Sequence, residues 1–203
     1  MSEPDPVWPP APMRTDRLAL REPEARDRPA LVELLSSPEV GTYVGGSRPR
    51  DAVERELPDP PARRPGLWVV EHDRATIGIV TLDPRDPDRS EPVLAGIGEL
   101  ELGYLFLPAS WGRGLATEAC TAALRWFDDA HPGEPLSLCT QTANAGSMRV
   151  AAKLGFAEVA RFEAYGAEQW LGVRRPQRTR RSAAIPPNEP SSVAPSGTKP
   201  FRS

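Results

Sequence analysis

The sequence predicts one mixed α/β domain over residues 14–175. Runs with the twofold alternation of a strand and runs with helical spacing follow one another in the order β, α, α, β, β, β, α, β, α, β, β. A chain of 203 residues, 39% of them hydrophobic, can bury one core of ordinary size. No internal repeat is present, so we expect a single domain.

The first half of the predicted domain contains three strands and two helices. Residues 17–21 alternate apolar and basic side chains, as a half-buried strand does. A helix follows Asp27 on the apolar set Leu31, Val32, Leu34 and Leu35, and a short helix is expected at 51–57. Residues 66–71 and 76–82 form a predicted hairpin around Asp73 and Arg74, and 83–92 is a predicted loop.

The second half begins with a predicted strand at 99–107, in which Leu100, Leu102, Tyr104 and Phe106 share one face. A long helix starts at Gly114 and stops at Pro132 and Gly133. After a strand at 136–140, Asn144 caps a helix that ends at Gly155. Residues 156–162 and 169–173 are the closing pair of strands.

Proline marks both ends of the chain. The 25 prolines are more than twice the usual share of about 5%. Residues 1–13 hold five of them and have neither a basic start nor a long apolar run, so we expect a flexible leader without an export signal. Residues 176–203 hold six more and have few large apolar side chains, which predicts a disordered, basic tail rich in proline and serine.

Charge is divided unevenly along the chain. From Arg174 onward seven basic residues face one acid, a net charge of +6, so the first 173 residues carry −9. An acidic body fits a cationic or amine-bearing partner better than a nucleic acid. The basic tail is either solvated or touches an acidic partner.

Cysteine and histidine usage excludes some chemistry. Cys120 and Cys139 do not have metal-ligand spacing, and the two histidines, His72 and His131, stand far apart, so no metal site is predicted. No apolar stretch is long enough to cross a bilayer, and we expect a cytoplasmic protein without membrane contact. The sequence leaves a monomer and a homodimer equally open.

The segment WGRGLATE, residues 111–118, lies where the strand 99–107 gives way to the long helix. Small residues let a backbone approach a ligand closely, and the first N–H groups of a helix lack internal partners and attract phosphate. Arg113 adds a positive charge to the same turn. The alternative is that Gly112 and Gly114 only permit a tight connection.

Two segments together, ELELGYLFLPASWGRGLATEA and CTQTANAGSMRVAAKLGF, resemble the GNAT acyltransferases, and within them the branch typified by RimJ and RimL. The family has an R/Q-x-x-G-x-G/A loop before a helix, and here Trp111 takes the first place. The resemblance is close over residues 99–162 and looser over 14–82. It implies a mostly antiparallel mixed sheet that is splayed between its fourth and fifth strands and flanked by helices.

The resemblance also implies how acetyl-CoA binds. Its diphosphate would lie on the backbone N–H groups of Gly112, Arg113, Gly114, Leu115, Ala116 and Thr117. Its pantetheine arm would pair with the strand backbone at Leu105, Phe106 and Leu107, as an added strand does. Asn144 would bond the pantetheine near the thioester, in addition to its role as a helix cap.

The implied reaction is attack by an amine on the thioester, which requires a base to remove a proton from the ammonium. Glu101 is the first candidate and Glu99 the second; both occupy one face of a regular strand, so their aim would depend on a bulge. Ser147 would donate a hydrogen bond to the leaving sulfur, because this branch often has a serine at that place. The tyrosine acid of a related branch corresponds here to Ala151. Tyr165 is a further candidate for the acid.

The resemblance therefore implies an N-acetyltransferase that transfers acetyl from acetyl-CoA to a primary amine in a ternary complex, without a metal. The acceptor is a protein N-terminus or a small amine. The alternative is a non-catalytic acyl-CoA-binding module, which the missing tyrosine acid leaves open.

Overall fold

The computed structural model describes residues 12–85 and 96–175. Their strands form one sheet in the order β1-β2-β3-β4-β5-β6-β8-β7. All neighbouring strands run antiparallel except β5 and β6, which are parallel. The strands are β1 (Met13–Arg14), β2 (Leu18–Arg21), β3 (Leu67–His72), β4 (Ala75–Pro84), β5 (Leu100–Phe106), β6 (Leu136–Gln141), β7 (Ala157–Ala164) and β8 (Ala167–Arg174). The mixed α/β class and the mostly antiparallel sheet are confirmed.

The helices agree with the prediction apart from one short addition. They are α1 (Arg28–Ser36), α2 (Pro38–Gly41), α3 (Arg50–Glu56), α4 (Leu115–Ala130) and α5 (Ala145–Lys153). The sequence did not predict α2. It forms because Pro38 suits the first helical position and the Ser37 hydroxyl accepts a hydrogen bond from Val40 N–H. None of the described helices is both long and apolar enough to cross a membrane.

The predicted hairpin is β3 and β4. Asp73 and Arg74 have φ of 50° and 66°, the left-handed values of a tight turn whose twist matches that of the strands. β4 extends to Pro84, so Asp83 and Pro84 are strand residues and not loop residues as predicted. Most of the predicted loop lies outside the described residues.

A two-residue strand, β1, precedes the predicted first strand. Met13 pairs with Leu20 and Arg14 with Ala19, so the sheet begins at the last residue of the predicted leader. Residues 1–11 and the predicted tail at 176–203 lie outside the described residues. Because of β1, the predicted fourth and fifth strands are β5 and β6.

Helices cover both faces of the sheet. The larger core lies between the sheet and α4, where Leu102 and Phe106 of β5 pack with Leu115 and Phe127. On the opposite face, α1 and α2 pack on Ile79, Leu105 and Leu107 through Leu31, Leu34 and Val40. The alternation predicted for β5 is thereby confirmed.

The sheet opens between β5 and β6. Glu101 and Ser137 are their single paired position. Here the Ser137 hydroxyl donates to the Leu100 carbonyl at 2.9 Å, and Gly98 leaves no room for a side chain beside the Pro135 carbonyl. Beyond this point the strands diverge towards Phe106, which confirms the predicted splay.

A buried ion pair joins the first helical turns to the sheet. The Nη1 and Nη2 atoms of Arg21 donate to Asp27, at 2.7 and 2.9 Å. The Thr76 hydroxyl donates to the same carboxylate at 2.5 Å. Asp27 is 1% exposed. Burial raises the pKa of Asp27, but the hydrogen bonds from Arg21, Thr76 and the Glu24 N–H together lower it by more. The pKa therefore lies below its ordinary value.

We expect Asp27→Asn to lower the free energy of unfolding by about 3 kcal/mol at pH 7. Among the described residues, the change removes one of the two carboxylates hydrogen-bonded to the largely buried Arg21 guanidinium and leaves only Glu71, at 2.9 and 3.1 Å. Since folding lowers the pKa of Asp27, its charge stabilises the fold above the unfolded value of about 3.9, and this contribution is lost as the pH falls through the folded pKa. Urea unfolding at several pH values should therefore show the difference shrinking below about pH 4. The control is Asp51→Asn, whose side chain is 80% exposed; equal losses in both variants would contradict this account.

Candidate functional site

A cavity of about 1150 Å³ occupies the opening between β5 and β6. It runs from the turn before α4, past the N-terminal end of α5, to the loop after α2. The exposed large apolar side chains of the described residues are Tyr43, Val44, Trp111 and Tyr165, and all four line it. Such a concentration is typical of a binding surface.

The turn before α4 offers unpaired backbone donors to the cavity. Gly112 and Gly114 have φ of 71° and 77°, values that favour glycine. Within the described residues none of the N–H groups from Gly112 to Thr117 donates a hydrogen bond, and the first helical bond runs from Glu118 N–H to the Gly114 carbonyl at 3.1 Å. These donors at a helix N-terminus can bind a phosphate group.

Five of the six residues predicted for the phosphate turn line the cavity: Gly112, Gly114, Leu115, Ala116 and Thr117. Arg113 is exposed and does not line it. The carbonyl of Arg113 instead accepts a hydrogen bond from Arg17 Nη1 at 3.1 Å. The turn therefore presents amides to the cavity, and its arginine lies outside.

The backbone of β5 divides its hydrogen bonds between two neighbours. Leu107 N–H donates to the Ile77 carbonyl at 2.9 Å, towards β4, whereas the Leu100 carbonyl receives Ser137 on the β6 side. Because backbone direction alternates along a strand, Leu105 also faces β4, and Tyr104 and Phe106 face the opening. The Phe106 carbonyl already accepts from the Trp111 indole at 2.7 Å, which leaves its N–H for a ligand. Leu105 and Phe106 line the cavity; Leu107 does not.

The N-terminal end of α5 brings Asn144 and Ser147 to the cavity. The Asn144 side-chain oxygen accepts from Ser147 N–H at 3.0 Å, so its role as helix cap is confirmed. Its amide nitrogen makes no hydrogen bond within the described residues and can still bind a ligand. Ala151 is buried, and no tyrosine acid occupies that position.

A buried phenol lies behind Ser147. Tyr104 lines the cavity, and its hydroxyl has no hydrogen-bond partner among the described residues. Burial raises the pKa of this phenol, and the neighbouring Ser147 side chain opposes the shift without meeting hydrogen-bond geometry. Tyr104 is therefore protonated at neutral pH and keeps a donor for a group that enters the cavity.

Two carboxylates of the site lie on β4 and β5. Glu101 lines the cavity directly opposite Asp83, and Arg64 forms an ion pair with Asp83. Pairing between β4 and β5 is regular, so no bulge redirects Glu101. Glu99 precedes β5, is exposed and does not line the cavity, so the structure does not bring this second candidate to the site.

Several lining residues were not expected from the sequence: Tyr43, Arg64, Asp83, Arg149 and Lys153. The antiparallel register of the hairpin and β5 could have indicated Asp83, but a proline-rich loop separates the two strands in the sequence. Tyr165, a spare candidate, lines the cavity at the β7–β8 turn and is 75% exposed. No group of three potential metal ligands occurs in the described parts of the chain.

Comparison with known sequences agrees with this geometry. A profile described as "Acetyltransferase (GNAT) domain" matches residues 17–157. The chain belongs to the GNAT acetyltransferase family. The uncharacterized protein YkkB of Bacillus subtilis is 31% identical over 149 residues, which cover 70% of this chain and 82% of YkkB.

Two similar solved GNAT structures contain coenzyme A. Aminoglycoside acetyltransferase AAC(6')-Ib has a TM-score of 0.60 at 19% identity, over 78% of this chain and 94% of its own. RimL, a ribosomal L7/L12 α-N-protein acetyltransferase, has a TM-score of 0.59 at 12% identity, over 79% and 95%. At these identities the likeness shows the GNAT fold and does not assign the chain to a branch of the family.

We expect Gly114→Glu to abolish coenzyme A binding in isothermal titration calorimetry, because its charge and side chain would stand where the diphosphate meets the helix N-terminus. Gly133→Glu is the matched control. Gly133 also has a positive φ, 91°, and open space around it, but lies at the far end of α4. Both variants incur similar backbone strain, so equal affinity for coenzyme A in the two would contradict the assignment of the turn.

Proposed function

We propose that the protein is an N-acetyltransferase that transfers an acetyl group from acetyl-CoA to a primary amine by direct attack in a ternary complex. One observation carries the proposal. A single cavity connects the unpaired amides before α4, the open edge of β5 and the carboxylate of Glu101. Acetyl-CoA, the acceptor amine and the base can therefore meet in one cavity.

Acetyl-CoA supplies the acetyl group as a reactive thioester. The amides of Gly112 and Gly114 to Thr117 hold the diphosphate, and the Phe106 N–H pairs with an amide of the pantetheine arm. The side-chain nitrogen of Asn144 bonds the arm near its thioester end. These contacts place the carbonyl carbon in the opening beside Tyr104, whose own N–H faces the opening and stabilises the negative charge that develops on the carbonyl oxygen.

Glu101 is the proposed base. It removes a proton from the acceptor ammonium, directly or through water, and the amine nitrogen then forms its bond to the carbonyl carbon. As the carbon–sulfur bond breaks, the second proton of that nitrogen passes to the thiolate, which gives the amide and free coenzyme A. The side chain of Glu101 shares a strand face with Leu105, opposite to α4, so the acceptor enters from the side of α2. Arg64 compensates the charge of Asp83 beside it.

Ser147 is the proposed donor to the leaving sulfur. It lies at the first turn of α5, where the Asn144 cap fixes its backbone. The Tyr104 hydroxyl, protonated and without a hydrogen-bond partner among the described residues, stands beside it. When acetyl-CoA is bound, a small shift lets Tyr104 donate to the Ser147 oxygen. The serine proton is then directed to sulfur, which takes up the negative charge as the bond breaks.

The acceptor is a cationic primary amine, either a protein N-terminus or a small amine. RimL and AAC(6')-Ib, which share the fold, represent these two classes. Glu39 and Glu101 line the acceptor side of the cavity together with Tyr43. Asp83 lies beside Glu101 and is paired with Arg64, and Arg85 also lines the cavity. Carboxylates attract an ammonium, and an exposed aromatic ring can stack on the group that carries it.

Release of free coenzyme A from acetyl-CoA, measured with a panel of peptides, polyamines and aminoglycosides, tests the proposal. Amine-dependent release above the rate of hydrolysis supports it. Tight acetyl-CoA binding with no turnover on any amine would instead favour a non-catalytic acyl-CoA-binding module, since the position of the related branch's tyrosine acid is here the buried Ala151.

We expect Glu101→Gln to lower kcat by about 100-fold, within the range typical of a general base, with little change in the KM for acetyl-CoA. The amide keeps the shape of the side chain but cannot accept the proton. Glu99→Gln is the control, because Glu99 lies two residues away and does not line the cavity. Equal rates in the two variants would remove Glu101 from the mechanism.

We expect Ser147→Ala to lower kcat about tenfold, which corresponds to the loss of one hydrogen bond to a charged group. Tyr104→Phe should lower kcat by a smaller factor, and in the double variant its effect should vanish, because Tyr104 acts through Ser147. Loss of an unpartnered hydroxyl does not destabilise the core, so Tm should not fall. Additive effects on kcat would show that the phenol acts independently of the serine.

A further inference from the structure

The turn between β1 and β2 forms hydrogen bonds with the first turn of α4. The Thr15 hydroxyl donates to Glu118 Oε1 at 2.6 Å, and the Arg17 backbone N–H donates to the same oxygen at 3.1 Å. Arg17 Nε donates to the other oxygen at 2.7 Å. One short turn near the start of the domain thus engages both carboxylate oxygens of a residue about 100 positions later.

The same guanidinium also reaches the turn before α4. Arg17 Nη1 donates to the Arg113 carbonyl at 3.1 Å, and a Cβ at Gly114 would lie 3.7 Å from Arg17 Nη2. In a trans peptide the carbonyl and the following N–H point in opposite directions. When Arg17 holds the Arg113 carbonyl, the N–H of Gly114 is turned away from β2 and towards the cavity that Gly114 lines.

This constraint matters because the turn is intrinsically loose. Gly112 and Gly114 flank Arg113, and glycine has access to more backbone conformations than any other residue. Without an external contact, the two peptides between them could rotate and point their N–H groups elsewhere. No other side chain among the described residues donates to the Arg113 carbonyl.

Charge supplies a second reason for the contact. Burial raises the pKa of Glu118, but the hydrogen bonds from Thr15 and Arg17 together lower it by more. The pKa lies below its ordinary value, and the carboxylate is charged at neutral pH. A negative charge one turn into α4 suits the helix dipole but repels a diphosphate bound at the same end. Arg17 offsets that repulsion, since its Nη2 lies 2.6 Å from Glu118.

We propose that Arg17 and Glu118, with Thr15, form a positioning pair that orients the backbone amides between Gly112 and Thr117 for the diphosphate of coenzyme A. This inference rests on the proposed function of the site. Arg17 is a positioning residue and not a catalytic one, because it acts through the Arg113 peptide. The small residues of the turn do not orient it by themselves; a side chain from the opposite end of the domain does.

The test compares binding of coenzyme A and of pantetheine, which lacks the diphosphate, by isothermal titration calorimetry. Arg17→Met keeps the length of the side chain and removes its hydrogen bonds. We expect it to raise the Kd for coenzyme A about tenfold and to leave the Kd for pantetheine unchanged. Arg17→Lys retains a charge opposite Glu118 and should recover part of the loss.

Arg161→Met is the matched control. Arg161 is 49% exposed, close to the 46% of Arg17, forms an ion pair with Glu158 at 3.0 Å, and does not line the cavity. Its affinity for coenzyme A should equal that of the wild type, and both arginine variants should keep Tm within about 2 °C, because pairs this exposed contribute little to stability. Thr15→Val keeps Arg17 but removes the hydroxyl that bonds Glu118 and the Leu18 backbone, and it is a second variant with the same expected direction.

An unchanged Kd for coenzyme A in Arg17→Met would overturn the inference, as would equal weakening for coenzyme A and pantetheine. A wild-type protein that does not bind coenzyme A would instead overturn the proposed function. The two failures are therefore distinguishable.

Discussion

The site depends on two parallel strands that pair at one position only. Glu101 and Ser137 join β5 to β6, and past them the strands separate. Each strand has a complete antiparallel partner on its other side: β5 pairs with β4 over seven positions and β6 with β8 over six. The sheet therefore behaves as two antiparallel halves joined at one point, and the opening does not require either half to be weakened.

An unpaired strand edge normally exposes backbone groups that need partners. In β5 some of these groups are satisfied inside the protein, since Ser137 bonds the Leu100 carbonyl and the Trp111 indole bonds the Phe106 carbonyl. The remaining groups, around Tyr104 and Phe106, face a cavity wide enough for water or for the amides of a ligand. The opening is thus stable when empty and keeps donors for an extended, amide-bearing molecule.

Most elements of the fold follow from periodicity and turn chemistry. The alternation in β5, the glycine before α4 and the Asn144 cap are local signals, and each predicted its element within a few residues. The short helix α2 and the strand β1 were missed because their stabilising contacts are a serine cap and pairing with Leu20 and Ala19, neither of which gives a long periodic run. Backbone direction in β5 also depends on pairing, so sequence could not show that Leu107 N–H is taken by Ile77.

The sequence predicted the parts of the site that lie within one continuous motif. It did not predict the parts that form where strands distant in sequence come together. Gly112 to Thr117 and Asn144 to Ser147 are continuous segments, whereas Asp83 faces Glu101 only through the register of β4 and β5. Tyr104 was placed correctly on one face of β5 with Leu102 and Phe106, but its nearness to Ser147 depends on the position of α5. Contacts between elements far apart in sequence leave no periodic signal, and the functional groups they create must be read from the structure.

Two ion pairs near the start of the domain show how burial separates stability from positioning. Arg21 and Asp27 have side chains 11% and 1% exposed, so water cannot replace a lost partner. Among the described residues, loss of Asp27 leaves Arg21 hydrogen-bonded to the carboxylate of Glu71 alone, and loss of Arg21 leaves Asp27 without a counter-charge, which is costly. Arg17 and Glu118 are 46% and 19% exposed, and water can solvate either one if the other is removed. The second pair therefore adds little to the free energy of folding. Its main effect is on backbone orientation, because it fixes the Arg113 carbonyl between two glycines. The adjoining helix is already held in place by the burial of Leu115 and Ala119.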